Sequence, residues 1–221
     1  RLATGVAHEI GNPVTGIACL AQDIKALPDD KKLTKNGIED ILRLTERISS
    51  IVHSLVSYSH AGSEADQLPE TVQISKLINE ATGLVSLSHK GKQIDFMNAC
   101  PEYIEVTGNY QKLLQVMVIL LSNASDASEE GSRVNISATE FDNDIQICVS
   151  DRGHGIGDKI IDKIFDPFFT TKQAGQGTGL GLSLAYNIIQ EHGGHISVDS
   201  QVDIGTEFVI NLAKSIRLKD A

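Results

Sequence analysis

The chain has 221 residues and a formal net charge of −10, with 41% hydrophobic and 5% aromatic residues. This length is enough for one large or two small domains with a real core, and the composition shows no sign of disorder. The acidic balance and the lack of a basic stripe argue against nucleic acid as a partner.

The first 27 residues predict a long helix, because small or apolar residues recur every three or four positions from Ala3 to Leu27. A turn is predicted at Pro28, and a second seamed helix from near Leu33 to about Tyr58. Two such helices cannot bury both seams alone, so we expect a dimer in which two hairpins form a four-helix bundle. The alternative is a hairpin packed on its own second domain.

His8 falls off the seam of the first helix and is predicted to face outward. Glu9 is its immediate neighbour, and Asn12 shares its face one turn further on. Pro13 cannot donate a backbone hydrogen bond and predicts a bend just after His8. The group is typical of a reactive histidine, although the same residues taken alone also fit an ordinary surface histidine.

A polar stretch at residues 61–67, closed by Pro69, predicts a linker, which we place at 62–70. The pattern beyond it mixes helices and strands, and this favours a sheet covered by helices on one face. Helices are predicted over 75–88, 110–127 and 180–192, and strands over 93–97, 102–106, 133–140, 144–150, 195–200 and 206–212.

Four features of this second region point to nucleotide binding. Asp151 ends a strand and precedes a glycine-rich stretch, so a buried carboxylate could accept from a base amine while glycines admit the base. A second glycine-rich stretch at 175–182 precedes a helix and could aim amides at phosphates. Asn123 could ligate Mg²⁺, and residues 164–172 predict a mobile lid with Lys172 toward phosphate. Each feature alone also fits turns, core phenylalanines or an ordinary helix residue.

Together the motifs resemble the catalytic core of sensor histidine kinases of two-component systems, over essentially the whole chain. The pattern His8-Glu9-x-x-Asn12-Pro13 resembles the phospho-acceptor box of that family. Residues 121–124 resemble its N box, 151–157 and 175–182 its two glycine boxes, and 164–169 its F box. The resemblance implies an α+β fold: a dimerisation hairpin (1–61), a linker (62–70) and a Bergerat-type α/β sandwich that binds ATP (71–221).

The resemblance also implies roles for individual residues. His8 would attack the γ-phosphate of ATP with Glu9 as base, and the phosphoryl group would pass to an aspartate in the receiver domain of a response regulator. Asn12 would position water for dephosphorylating that regulator, and Asn123 would hold Mg²⁺. The implied partners are a second copy of the chain and the receiver domain. The implied ATP-binding residues are Asn123, Asp126, Asp151, Gly153, Gly155, Ile156, Gly157, Lys172, Gly175, Gly177, Thr178, Gly179, Leu180, Gly181 and Leu182.

One position departs from the family pattern. The N box usually carries a second asparagine four residues before Asn123, and Ile119 stands there. The loss favours weak autokinase activity and a balance toward phosphatase. A nucleotide-sensing dimeric adaptor with weak phosphoryl transfer therefore stays open as an alternative. A topoisomerase or DNA-repair ATPase of the same fold is disfavoured by the acceptor box.

The expected location is the cytoplasm. No secretory signal is present, no apolar run reaches spanning length, and the three cysteines lack metal-site spacing. Because the chain opens inside the heptad pattern, we expect a fragment of a longer sensor that makes no membrane contact of its own.

Overall fold

The structure is a computed structural model that describes residues 2–60, 69–88, 92–172 and 177–214; for residues 2–9, 46, 47 and 49–60 it describes the backbone alone. The chain divides into two compact units, residues 1–62 with 166–181 and residues 63–165 with 182–221. No helix in the described ranges is long and apolar enough to cross a membrane.

The first unit contains two long helices, α1 (Leu2–Ala26) and α2 (Lys31–His60). Asp30 caps the start of α2, because its carboxylate accepts hydrogen bonds from the backbone of Lys32 at 3.1 Å and Leu33 at 2.9 Å. The predicted turn is confirmed. The cap explains why α2 begins two residues before the predicted start, since Asp30 leaves Lys31 as the first helical residue.

The two helices approach each other closely at two glycines. A Cβ atom on Gly16 would lie 3.1 Å from Leu44 Cδ1, and one on Gly37 would lie 2.9 Å from Ile24 Cδ1. The aliphatic side chains described on this hairpin are nevertheless half-buried or exposed, and none is buried. Val14, Ile38 and Leu42 are the large exposed ones inside the helices. The isolated hairpin therefore leaves its apolar seam incompletely covered.

In its described residues the second unit contains seven strands: β1 (Glu70–Gln73), β2 (Asp95–Asn98), β3 (Glu105–Gly108), β4 (Arg133–Phe141), β5 (Asp144–Ser150), β6 (His195–Gln201) and β7 (Gly205–Ala213). Five of them form a sheet in the order β2-β4-β5-β7-β6, and β1 pairs with β3 separately. Only the β2–β4 pairing is parallel among the strand pairs described. The central strand β5 therefore has hydrogen-bonded neighbours on both sides.

One face of the sheet is buried. Along β5 the side chains of Ile145, Ile147 and Val149 are buried, and the residues between them are half-buried. The further helices are α3 (Ile74–Ser88), α4 (Tyr110–Ala127), α5 (Asp158–Ile161) and α6 (Gly181–Glu191). Helix α3 packs against β2, and α4 packs against β4 and β5. The predicted sandwich of helices on one face of a sheet is confirmed.

Two short elements were not predicted. Strand β1 follows the polar stretch and has no local signal, because its register is set by the distant β3, from Glu70 opposite Gly108 to Gln73 opposite Glu105. Helix α5 is a single turn inside the region predicted as loop. Strand β2 begins two residues later than predicted, and β3 begins three residues later. Short strands begin and end where their partner strands allow pairing, and the local sequence does not show this.

The buried face of α4 yields a stability prediction. Leu120 is 0% exposed, so Leu120→Ala should lower the free energy of unfolding by about 2–5 kcal/mol through lost burial and a cavity. Leu87 on α3 is 68% exposed, and Leu87→Ala is the matched control, with a change of about 0.5 kcal/mol or less. Denaturant unfolding measures both, and equal losses would contradict this packing.

Candidate nucleotide-binding site

Asp151 follows β5 and carries a buried carboxylate, only 6% exposed. Its Oδ1 accepts hydrogen bonds from the backbone of Gly153 at 2.8 Å and of Thr206 at 3.3 Å. Burial raises the pKa of the Asp151 carboxyl, and these two hydrogen bonds together with the nearby His154 oppose the rise. Within the described residues, the hydrogen bonds that the carboxylate accepts fall on Oδ1. Oδ2 is thus the oxygen that could accept from a ligand.

The glycines around Asp151 are required by close backbone contacts. A Cβ atom on Gly153 would lie 2.4 Å from the carbonyl oxygen of Ala127, at the end of α4. One on Gly155, where φ is +67°, would lie 2.1 Å from the carbonyl oxygen of Gln201. No side chain fits either position without moving backbone. The loop is therefore wedged between α4 and the β6–β7 turn, and only glycine permits it.

The same loop continues through Ile156 and Gly157. The backbone N–H of Ile156 donates to Ser200 Oγ at 2.8 Å, and Gly157 is the N-cap residue of α5. Ser200 Oγ in turn donates to the carbonyl of Gly205 at 2.9 Å. From His154 to Gly157 the first glycine stretch thus lies against the end of β6 and the β6–β7 turn.

Helix α4, which carries Asn123, meets this loop at its C-terminal end. Asn123 is half-buried in the last turns of α4, and Asp126 is exposed. The end of the helix touches the loop directly, because the backbone N–H of His154 donates to the carbonyl of Ala127 at 3.2 Å. Ile119, four residues before Asn123 on the same face, is half-buried.

The Asn123 side chain offers one amide oxygen that could ligate a metal ion. The described residues contain no group of three or more His, Cys, Asp or Glu side chains that could hold a metal ion. Mg²⁺ typically takes one or two protein ligands and completes its shell with phosphates and water. A single amide oxygen from Asn123 is consistent with that mode.

From Asp166 onward, the predicted lid belongs to the first unit. It is joined to the second glycine stretch, because the backbone N–H of Phe168 donates to the carbonyl of Gly179 at 2.9 Å. Both residues have positive φ, 69° at Phe168 and 67° at Gly179. Lys172 is exposed, its backbone N–H donates to Thr170 Oγ1 at 3.2 Å, and a Cβ atom on Gly177 would lie 3.0 Å from that hydroxyl. Gly175 lies outside the described residues.

Residues 178–182 of the second glycine stretch lead into α6. Thr178 Oγ1 accepts from the backbone of Leu180 at 3.4 Å, and Leu180 is buried. Gly181 begins α6, followed by the half-buried Leu182. Helix α6 therefore starts at this stretch, one residue after the predicted start.

Phe165, near the start of the F box, is half-buried and packs against two aromatic rings. Its ring centroid lies 5.6 Å from that of Tyr186 in α6 and 6.4 Å from that of Phe208 in β7. These contacts fit both a core phenylalanine and an aromatic anchor of the predicted lid.

The acceptor residues lie on α1. His8 and Glu9 are helical, and their predicted side-chain orientation falls outside what is described. Asn12 is exposed, as predicted, and Pro13 is buried within an uninterrupted helix. Sequence reasoning missed Ser200 and Thr206, whose hydroxyls lie 2.9 Å apart beside the glycine loop. The position of these two hydroxyls is set by the register between β6 and β7. In the sequence, Gly205 was the one local indication of where these strands turn.

The comparisons with known proteins place these features in one family. Residues 108–216 match the family described as histidine kinase-, DNA gyrase B-, and HSP90-like ATPase. The chain is 33% identical to Sporulation kinase A of Bacillus subtilis (strain 168) over 215 residues, 97% of this chain and 34% of that protein. It is 30% identical to the catalytic domain of the histidine kinase ThkA, with a TM-score of 0.61 over 67% of this chain and 97% of that one. This chain belongs to the sensor histidine kinases.

Two further likenesses extend over the whole chain. The sensor histidine kinase ZraS of Escherichia coli (strain K12) is 34% identical over 225 residues, 100% of this chain and 46% of that protein. A structure of ThkA in complex with the response regulator protein TrrA matches with a TM-score of 0.80 at 28% identity, over 99% of this chain and 62% of that one. This histidine kinase chain spans about a third to a half of the length of the curated relatives named here.

The raised pKa of Asp151 gives this histidine kinase a testable pH dependence. The folded chain binds that proton more tightly than the unfolded chain does. The resulting stability is fully present below the unfolded pKa, about 3.9, and is lost as pH rises through the raised folded pKa. Asp151→Asn cannot ionise, so its stability relative to the unsubstituted chain should rise across that window. Chemical unfolding of both proteins at a series of pH values measures the difference, and a pH-independent difference would contradict the assignment.

Proposed function

We propose that this chain is the kinase core of a two-component sensor, which uses ATP to phosphorylate His8 and passes the phosphoryl group to a response regulator. The observation that carries the proposal is the buried Asp151 carboxylate beside a glycine loop, on a chain whose first helix bears an acceptor box. We infer that Oδ2 of Asp151 accepts from the exocyclic amine of adenine, beside a loop whose glycines let it lie close to α4 and the β6–β7 turn.

The proposed reaction is a displacement at the γ-phosphorus of ATP. A ring nitrogen of His8 forms the new N–P bond, the bond between the γ-phosphorus and the bridging oxygen breaks, and ADP leaves. Glu9 takes the proton that the imidazole nitrogen loses. Asn123 would hold Mg²⁺, which stabilises charge on the transferring phosphoryl group. Exposed Lys172 would reach the phosphates from the lid.

The receiver domain of a response regulator is the proposed acceptor of the phosphoryl group. A carboxylate oxygen of its aspartate would form the new O–P bond as the N–P bond of phosphorylated His8 breaks. Support comes from ThkA, a structural relative that was solved in complex with a response regulator protein. Asn12, exposed on α1, would orient the water molecule that hydrolyses the phosphoryl group from the phosphorylated regulator.

A homodimer is proposed for the hairpin. Its aliphatic seam stays half-buried in the single chain, and Val14, Ile38 and Leu42 are about half exposed, at 50%, 48% and 59%. A second hairpin packed on this face would bury them in a four-helix bundle. Apart from Pro13 and Leu180, the buried apolar side chains of the described ranges lie in the second unit, so the ATP-binding unit has a core of its own.

A second candidate function, a nucleotide-sensing adaptor with weak phosphoryl transfer, is favoured by one observation. Ile119 occupies the position where the family pattern has an asparagine, one turn before Asn123. Its half-buried aliphatic side chain offers neither a metal ligand nor a hydrogen bond. Both candidates predict ATP binding, and they differ in whether His8 becomes labelled.

The acceptor assignment predicts that His8→Gln abolishes labelling by γ-phosphate-labelled ATP while leaving ATP affinity unchanged, because His8 lies on α1 and is not one of the proposed ATP-binding residues. The wild-type label should be acid-labile and base-stable, as a phosphoramidate is. His195→Gln, an exposed histidine on β6, is the matched control and should keep the label. Labelling of the His8 variant at another residue would refute the assignment, and an unlabelled wild type that binds ATP would favour the adaptor.

The Ile119 position predicts a gain of function. Ile119→Asn should raise the initial rate of autophosphorylation by roughly tenfold or more, because better holding of metal and phosphates lowers the barrier. Affinity for the adenine end, set by Asp151, should change little. Val118→Asn adds the same polar group at the neighbouring half-buried position and should give no gain. No gain in a folded Ile119→Asn protein would make Ile119 an ordinary packing residue.

A further inference from the structure

Lys92, just before β2, is bound to the end of the helix that carries Asn123. Its ammonium donates to the carbonyl of Ser125 at 2.6 Å and lies 3.3 Å from the carbonyl of Asp126. Both carbonyls belong to the last turn of α4, where no following helical turn supplies donors. A cation at a helix C-terminus also interacts favourably with the helix dipole. Lys92 is therefore a charged cap contributed by a distant segment.

The other two carbonyls of this turn also have partners. That of Ala124 accepts from the backbone of Ser128 at 3.1 Å, and that of Ala127 accepts from the backbone of His154 at 3.2 Å. Three sources thus hold the turn: its own C-cap, the glycine loop and Lys92. Lys92 is the one among them that brings a charge, and charge-assisted hydrogen bonds are the strongest of this kind.

The turn also carries unfavourable features. Ser125 is 1% and Ser128 is 4% exposed, and neither hydroxyl has a hydrogen-bond partner in the described part of the chain. A buried hydroxyl without a partner destabilises its surroundings. The end of α4 is therefore held by contacts to its backbone, so losing the Lys92 contact should loosen the last turn of the helix.

We propose that Lys92 is a positioning residue for the nucleotide site: it fixes the last turn of α4 and so sets where Asn123 stands relative to the glycine loop. The inference rests on the proposed function, since Asn123 is assigned there to the metal and phosphates. Asp151 is held separately, by the backbone of Thr206 in β7 as well as by the loop. Loss of Lys92 should therefore act on the phosphate end of the ligand more than on adenine.

Calorimetry of the full chain tests this with three ligands: ATP with Mg²⁺, ATP with a chelator, and adenosine. Lys92→Met should weaken Mg²⁺–ATP binding roughly tenfold, the equivalent of losing one charge-assisted hydrogen bond. The affinity gained from Mg²⁺ should shrink, and adenosine affinity should change less than threefold or so. Lys92→Arg, which restores a cationic donor, should recover Mg²⁺–ATP affinity.

Ser125→Ala is the matched control, because it changes the same turn and leaves the Lys92 acceptor carbonyls in place. It should bind all three ligands as the wild type does. If Lys92→Met does not fold, Lys92→Gln, a neutral donor, takes its place. Unchanged Mg²⁺–ATP affinity, equal losses for Mg²⁺–ATP and adenosine, or no rescue by arginine would each overturn the inference. A wild type that binds no ATP would instead refute the proposed function.

Discussion

Burying the carboxylate of Asp151 is the constraint on which the nucleotide-binding unit depends. A charged group removed from water is costly unless hydrogen bonds compensate it. Here compensation comes from the backbone N–H groups of Gly153 and Thr206, one in a loop and one in β7. Supplying both requires β7 to start beside the end of β5, where a Cβ atom on Gly205 would lie 2.1 Å from the carbonyl oxygen of Asp151. The glycines, the strand register and the acidic group therefore form one arrangement.

Helix α4 connects this arrangement to the core. Its buried face includes Met117, Leu120 and Leu121 and packs against the sheet, while its last turn meets the glycine loop at Ala127. The glycine loop is thus anchored to a helix that is itself packed against the sheet. The hairpin has no comparable core within one chain, since its described aliphatic side chains are half-buried or exposed. This difference fits one unit that folds around its own core to hold a ligand and another that needs a partner.

Much of this sensor histidine kinase was readable from its sequence, and the reasons are physical. Long helices and alternating strands carry their own periodicity, so α4 and β5 were predicted within a residue. Asp151 and its glycines were singled out by their glycine-rich pattern after a strand, and the structure adds that close contacts with Ala127 and Gln201 require glycine at 153 and 155. Strand β1 and the serine at 200 were missed, since they act through partners far along the chain. Lys92 was missed too, because an isolated lysine carries no signal until the fold brings it to a helix end.

The central claim is that Asp151 recognises the exocyclic amine of adenine, and nucleotide discrimination tests it most directly. Inosine triphosphate carries a carbonyl oxygen where ATP carries that amine. Calorimetry should show that the wild type prefers ATP by roughly 100-fold or more, because a buried acceptor would face an acceptor. In Asp151→Asn the amide can donate to that oxygen, so the preference should fall below about tenfold. A wild type that binds both nucleotides equally, or a variant that keeps the full preference, would contradict the account.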